Sequence, residues 1–116
     1  MALDCRGWCL ADVVSDFSNH GSVVDVYAPG HQIRSAWMDS DTAFRVSSGT
    51  SMACPLVAGA VALYLEKFPA ATCEDVSRAI AETATPVTGG KGGGQGGMLH
   101  LQAMLAVKPR AAELNV

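Results

Sequence analysis

Ser48-Gly49-Thr50-Ser51-Met52-Ala53-Cys54-Pro55-Leu56-Val57-Ala58-Gly59 decides how the rest of the chain is read. It has the form of a turn that delivers one serine to the start of a buried helix. Gly49 can adopt backbone angles closed to other residues and lets another segment pass close by. Thr50 is a fair N-cap. Ser51 then lies among the unsatisfied N–H groups of the first turn, at the positive end of the helix dipole. Such groups can stabilise an oxyanion. Pro55 belongs within about one turn of the helix start, since deeper placement costs ~3 kcal/mol. Ser51 alone would also serve as an ordinary cap; the surrounding motif is what favours a chemical role.

Working outward, residues 57, 61, 64, 65 and 68 form an apolar stripe at helical spacing. Ala58, Gly59 and Ala62 cover the adjacent faces, so this helix is expected to be buried nearly all round, ending at Phe68-Pro69. Val57, Val61 and Leu65 are its predicted core residues. Thr72 and Asp75 have capping-box spacing and open a second helix, with Val76, Ala79, Ile80 and Thr83 on one face and Pro86 closing it. Upstream, residues 23–27 read as a short buried strand stopped by Ala28-Pro29-Gly30. Residues 33–37 read as another strand. Phe44-Arg45-Val46-Ser47 reads as a short strand leading into the serine turn. Residues 1–11 match no pattern. Residues 86–97 are a glycine-rich linker, in which Lys91 lacks the Ser/Thr and helix of a phosphate loop. Residues 98–116 form a short apolar segment, a candidate last helix, and a tail that frays after Pro109.

Two stretches resemble the subtilisin-like serine proteases, nearest the proteinase K-like branch. One is the ungapped run from Gly49 to Gly59. The other is Asp16-Phe17-Ser18-Asn19-His20-Gly21-Ser22-Val23-Val24-Asp25-Val26-Tyr27-Ala28-Pro29-Gly30. The resemblance covers residues 12–85. It implies an α/β fold: the incomplete C-terminal portion of a three-layer architecture with a mostly parallel sheet. It also implies a serine endopeptidase origin, with Ser51 as nucleophile and its backbone N–H in the oxyanion hole. Ser47, Ser48 and Gly49 become candidates for contact with substrate backbone, and peptides or proteins are the implied substrates. Cys54 and Leu56 depart from the family's usual residues, and Leu56 reads as a tolerable packing change. No cofactor is required. Asp25 resembles a calcium-binding aspartate of that branch, and equally suits a solvated turn. The family's His and Asp segments and its oxyanion asparagine do not occur in residues 1–116. His20, His31 and His100 read as loop residues, so the chain alone is expected to be inactive. A binding protein that keeps part of the scaffold is the alternative.

Composition bounds these readings. With 116 residues, 49% hydrophobic and 16% charged, the chain is at most one small globular domain. A formal charge of −3 without a basic patch argues against nucleic acid. No apolar run has membrane-span length, and residues 1–10 lack a signal-peptide core, although the family is typically secreted. Cys5 and Cys9 have no second pair at zinc spacing. Cys54 is expected on the buried helix face and Cys73 at a helix start.

Overall fold

The computed structural model describes residues 2–4, 13–87 and 96–110. Cys5, Cys9 and most of the glycine run lie outside these residues. Strands β1 (Ala2–Asp4), β2 (Val13–Val14), β3 (Val26–Pro29) and β6 (Gly97–Met98) form one sheet in the order β2-β1-β3-β6. β3 runs parallel to both β1 and β6, and β2 is antiparallel to β1. Strands β4 (Ile33–Ala36) and β5 (Phe44–Ser47) make a separate antiparallel hairpin. Helices α1 (Thr50–Lys67), α2 (Cys73–Thr83) and α3 (Leu101–Met104) complete the order, with α3 following β6. The result is a partial α/β fold with a mainly parallel sheet, as expected.

The predicted strand over residues 23–27 is displaced. Gly21 has φ 104, and Val24 N–H donates to its carbonyl at 3.1 Å, so a turn occupies the first part. Val23 is left 84% exposed while Val24 is buried. The strand continues through Ala28 to Pro29, whose missing N–H is tolerated at a strand end. Residues 2–4, unreadable beforehand, pair with β3 at Ala28 and Pro29.

α2 begins with the predicted capping box. Thr72 Oγ1 accepts from Asp75 N–H at 3.2 Å, and Asp75 accepts from Thr72 N–H at 3.0 Å. The other carboxylate oxygen accepts from Arg110 N–H at 2.9 Å, so residue 110 is anchored rather than frayed. The Arg110 amide, followed by the Thr72 amide and hydroxyl, holds the Asp75 carboxyl down at about 2. A depressed carboxyl contributes stability above its unfolded value near 3.8, which is lost as pH falls toward 2. Melting temperature is therefore expected to drop between pH 4 and pH 2, and Asp75→Asn should flatten that dependence. Parallel slopes for both proteins across this window would contradict the assignment.

Part of the glycine-rich stretch belongs to the folded body. Gly96 and Gly97 are buried, and Thr85 and Met98 exchange N–H···O bonds of 2.9 and 2.7 Å. A Cβ on Gly97 would lie 2.5 Å from the Thr85 carbonyl oxygen. Gly97→Ala is expected to cost about 1–3 kcal/mol by overpacking against backbone. Urea midpoints check this, and an unchanged midpoint would show that β6 yields easily.

The apolar interior is divided among small clusters. Val14, Val24 and Tyr27 form one cluster, with Val87 and Met98 packed against it. Ala28 and Ala53 join β3 to α1, and Ala60, Tyr64, Ala79 and Met104 join the helices. The prediction that α1 is buried nearly all round is corrected. Its buried residues are Ala53, Ala60 and Tyr64; Val57 and Val61 are half-buried, and Leu65 is 38% exposed. One stripe is covered, by the sheet at Ala53 and Val57 and by α2–α3 at Ala60 and Tyr64, and the rest of the helix faces solvent. Cys54, expected inside, is exposed; Cys73 opens α2 and is also exposed.

Candidate functional site

The β4–β5 hairpin brings the serine turn against the end of β3. Its register places Ile33 opposite Ser47, so the next residues outward, Gln32 and Ser48, face each other. Gln32 N–H donates to Ser48 Oγ at 2.8 Å, and Gly49 N–H donates to the Gly30 carbonyl at 2.7 Å. These two bonds tie both sides of the hairpin base together immediately before the helix. Gln32 takes φ 53, a left-handed value unusual for a non-glycine residue. Gly30 and Gln32 were not among the predicted site residues. The Pro29-Gly30 turn signal, combined with the hairpin register, is what would have found them.

Gly49, not Thr50, is the N-cap, and it contributes no side-chain cap. Its φ of 158 and ψ of 164 lie in a region that glycine favours. Met52 N–H donates to its carbonyl at 3.0 Å. Ser51 is the second residue of α1 and is exposed. The first turn holds no acidic side chain to oppose the positive end of the helix dipole. Pro55 stands deeper than expected, at the sixth helical residue. A proline there removes the amide that would bond to the Ser51 carbonyl. Ser47 is half-buried at the end of β5, and Ser48 is exposed with its hydroxyl engaged as described.

The histidines are dispersed. His31 is half-buried, and its ring stacks with Phe17 at 6.3 Å between centroids. His100 caps α3, its Nδ1 accepting from Ala103 N–H at 3.2 Å. It was expected to be a loop residue without such a role; its position just before α3 supplies the reason. His20 is exposed in the loop before β3. Asp25 is exposed immediately before β3 and lines a cavity of about 550 Å³ with Ser22, Ser77 and Ile80. Among the described residues, no three His, Cys, Asp or Glu side chains are grouped to hold a metal ion. Among the same residues, no helix is long and apolar enough to cross a membrane.

The model of the subtilase family (Peptidase_S8) matches residues 6–104. The chain is 51% identical over 75 residues to an extracellular serine proteinase of Thermus sp. (strain Rt41A), covering 65% of this chain and 18% of that protein. It is 49% identical over 74 residues to alkaline serine exoprotease A of Vibrio alginolyticus, covering 64% and 14%. Against proteinase R of Parengyodontium album it is 51% identical over 70 residues, covering 60% and 17%. The chain thus spans less than a fifth of these curated relatives. With a match across most of its length and a turn that presents an exposed serine at the head of α1, the chain belongs to the subtilase family of serine peptidases.

Proposed function

We propose that this chain carries the nucleophile-bearing part of a subtilisin-like serine endopeptidase, with Ser51 as the nucleophile. The observation that carries the reading is the exposure of Ser51 in the first turn of α1, behind a turn fastened at Gly49 and Ser48. In the reaction, Ser51 Oγ bonds to the carbonyl carbon of a scissile peptide and gives its proton to a base. The tetrahedral intermediate expels the amine, which takes that proton, and water then cleaves the acyl-serine ester. The oxyanion is held by first-turn N–H groups, including that of Ser51. Ser47, Ser48 and Gly49 border the path of the substrate backbone.

The base and its orienting carboxylate come from segments absent from residues 1–116. Peptides or proteins are the proposed substrates, and secretion is the proposed location, in line with the extracellular Thermus relative. Catalysis needs no cofactor. Asp25 is proposed as one ligand of a structural calcium ion, the remaining oxygens being supplied from outside the described residues, since calcium takes six to eight. The alternative, a non-catalytic binder, draws on the engagement of His31 with Phe17 and of His100 as a cap.

A fusion tests the enzymatic reading. The part of the Thermus proteinase that precedes its matching region is joined to Met1 of this chain. A fluorophosphonate is expected to label the fusion at Ser51 and to leave its Ser51→Ala variant unlabelled. A soluble fusion that resists labelling, or takes the label elsewhere, rejects Ser51 as the nucleophile.

A further inference from the structure

The β4–β5 hairpin is a two-stranded sheet of its own, and among the described residues none of its side chains joins a core cluster. Strand alternation sorts those side chains onto two faces. The register sets Arg34 opposite Val46 and Ala36 opposite Phe44, so these four share one face. All four are exposed, Phe44 to 60% and Val46 to 57%, whereas Ile33 and Ser47 on the other face are half-buried. The outward face carries a diagonal pair: the Arg34 guanidinium lies over the Phe44 ring, 4.1 Å from its centre. Arg34 thus crosses from β4 onto β5. Stacking occupies the plane of a guanidinium and leaves its N–H edge able to grip a carboxylate through two bonds. Among the described residues, no ion pair or hydrogen bond engages that edge. The face therefore presents an unneutralised cation on an apolar shelf.

We infer that this face docks an extended segment of the polypeptide substrate that carries a carboxylate between apolar side chains at alternate positions. Its use in catalysis rests on the reading of Ser51 as nucleophile; the binding itself does not. Charge complementarity selects the occupant: the carboxylate meets the open edge of Arg34, and its apolar neighbours meet Phe44 and Val46. Asp39 and Asp41 bound the surface in the connecting loop, so a long acidic run fits worse than a single carboxylate. The extended form follows from the open side of β5, which pairs with β4 alone among the described residues. A strand added there presents every second side chain to the outward face. The surface is also tied to the site. Val46 precedes Ser51 by five residues, which holds their Cα atoms within about 18 Å, the reach of five or six extended residues. The Gly49–Gly30 and Gln32–Ser48 bonds fix the hairpin base to the serine turn, so a segment held on the hairpin is held at a set distance from Ser51. An anionic membrane fits less well, because Met38, 87% exposed at the tip, is followed by Asp39 and Asp41.

The test titrates the isotope-labelled whole chain with a blocked Thr-Val-Thr-Glu-Thr-Val-Thr peptide and with its Gln and Lys counterparts, following backbone amide shifts. Saturable shifts are expected in β4 and β5, with the Glu peptide bound about three- to tenfold more tightly than the Gln peptide. Arg34→Gln should abolish that preference. Arg45→Gln removes the same charge from the opposite face, where Arg45 lies over Trp37, and should keep the preference, since salt screens exposed charges beyond about 8 Å. Phe44→Ala should weaken binding of all three peptides by about threefold or more. Circular dichroism verifies that each variant is folded. If Arg34→Gln is not folded, salt replaces it: the unaltered chain should lose its Glu preference at about 0.5 M NaCl, and a preference that persists overturns the inference. Equal binding of the Gln peptide, no saturation by about 5 mM, or equal loss of preference in Arg45→Gln also overturns it. So does a dimer of the chain alone that Arg34→Gln dissolves, or binding to phosphatidylserine vesicles that Arg34→Gln weakens while peptide binding is unchanged. Glu-selective binding by a fusion that takes no fluorophosphonate label would reject the nucleophile and retain the docking surface. Labelling of the fusion without Glu-selective binding would do the reverse.

Discussion

Purified alone, the chain is expected to hydrolyse a generic peptide ester no faster than its Ser51→Ala variant. A serine hydroxyl is a weak nucleophile at neutral pH, and removing its base lowers turnover by several orders of magnitude. The three histidines offer no evident substitute. His100 is committed to the start of α3, His31 is stacked with Phe17, and His20 lies in the exposed loop before β3. Initial rates for the two proteins at matched concentration decide the point. Turnover that disappears in Ser51→Ala would overturn it and direct attention to those histidines as bases. First-turn amides at Ser51 that hold an oxyanion do not by themselves produce a cycle, because the proton on Oγ still has nowhere to go.

The largest effect on stability is expected at Tyr64. Its side chain is fully buried, and its ring lies 5.0 Å from that of Phe68. Its hydroxyl donates to the Val107 carbonyl at 3.1 Å, fastening the segment after α3 to α1. Burial pushes the phenol upward in pKa. Tyr64→Ala should cost about 3–5 kcal/mol, the range for deleting a buried aromatic ring. Total stability of a small domain is only about 5–15 kcal/mol, and the described residues divide their core among three clusters. The variant should therefore lose its cooperative urea transition. Tyr64→Phe keeps the ring and should lose about 0.5–1.5 kcal/mol. A Tyr64→Ala midpoint close to that of the Phe variant would show that the cluster relaxes around the cavity.

Local chemistry was legible in the sequence where a few neighbouring residues determine the outcome. The Thr72–Asp75 capping box, the strand at Phe44–Ser47 and the placement of Ser51 at a helix start are of this kind. Features that depend on distant segments were not. Ala2–Asp4 has no strand signature, yet it forms a strand because β3 offers it an edge. Gly97 reads as linker, but its lack of a side chain lets it approach the Thr85 carbonyl. Leu65 reads as core from its spacing, which reports a helix face without reporting whether anything covers it. At the site, the serine was visible in its motif. The Gln32–Ser48 bond depended on hairpin register, which alternation in two short strands does not specify.

The parallel pairing of β3 with β6 has a consequence during synthesis. Tyr27 leaves the ribosome about 70 residues before its neighbour Met98. At ~5–20 residues per second, that edge of β3 waits roughly 4–14 s for its own partner. Throughout the interval its backbone donors and acceptors are open to strands of neighbouring nascent chains. Slower translation lengthens the wait, so the soluble yield of this protein should fall with elongation rate even though the finished sequence is unchanged.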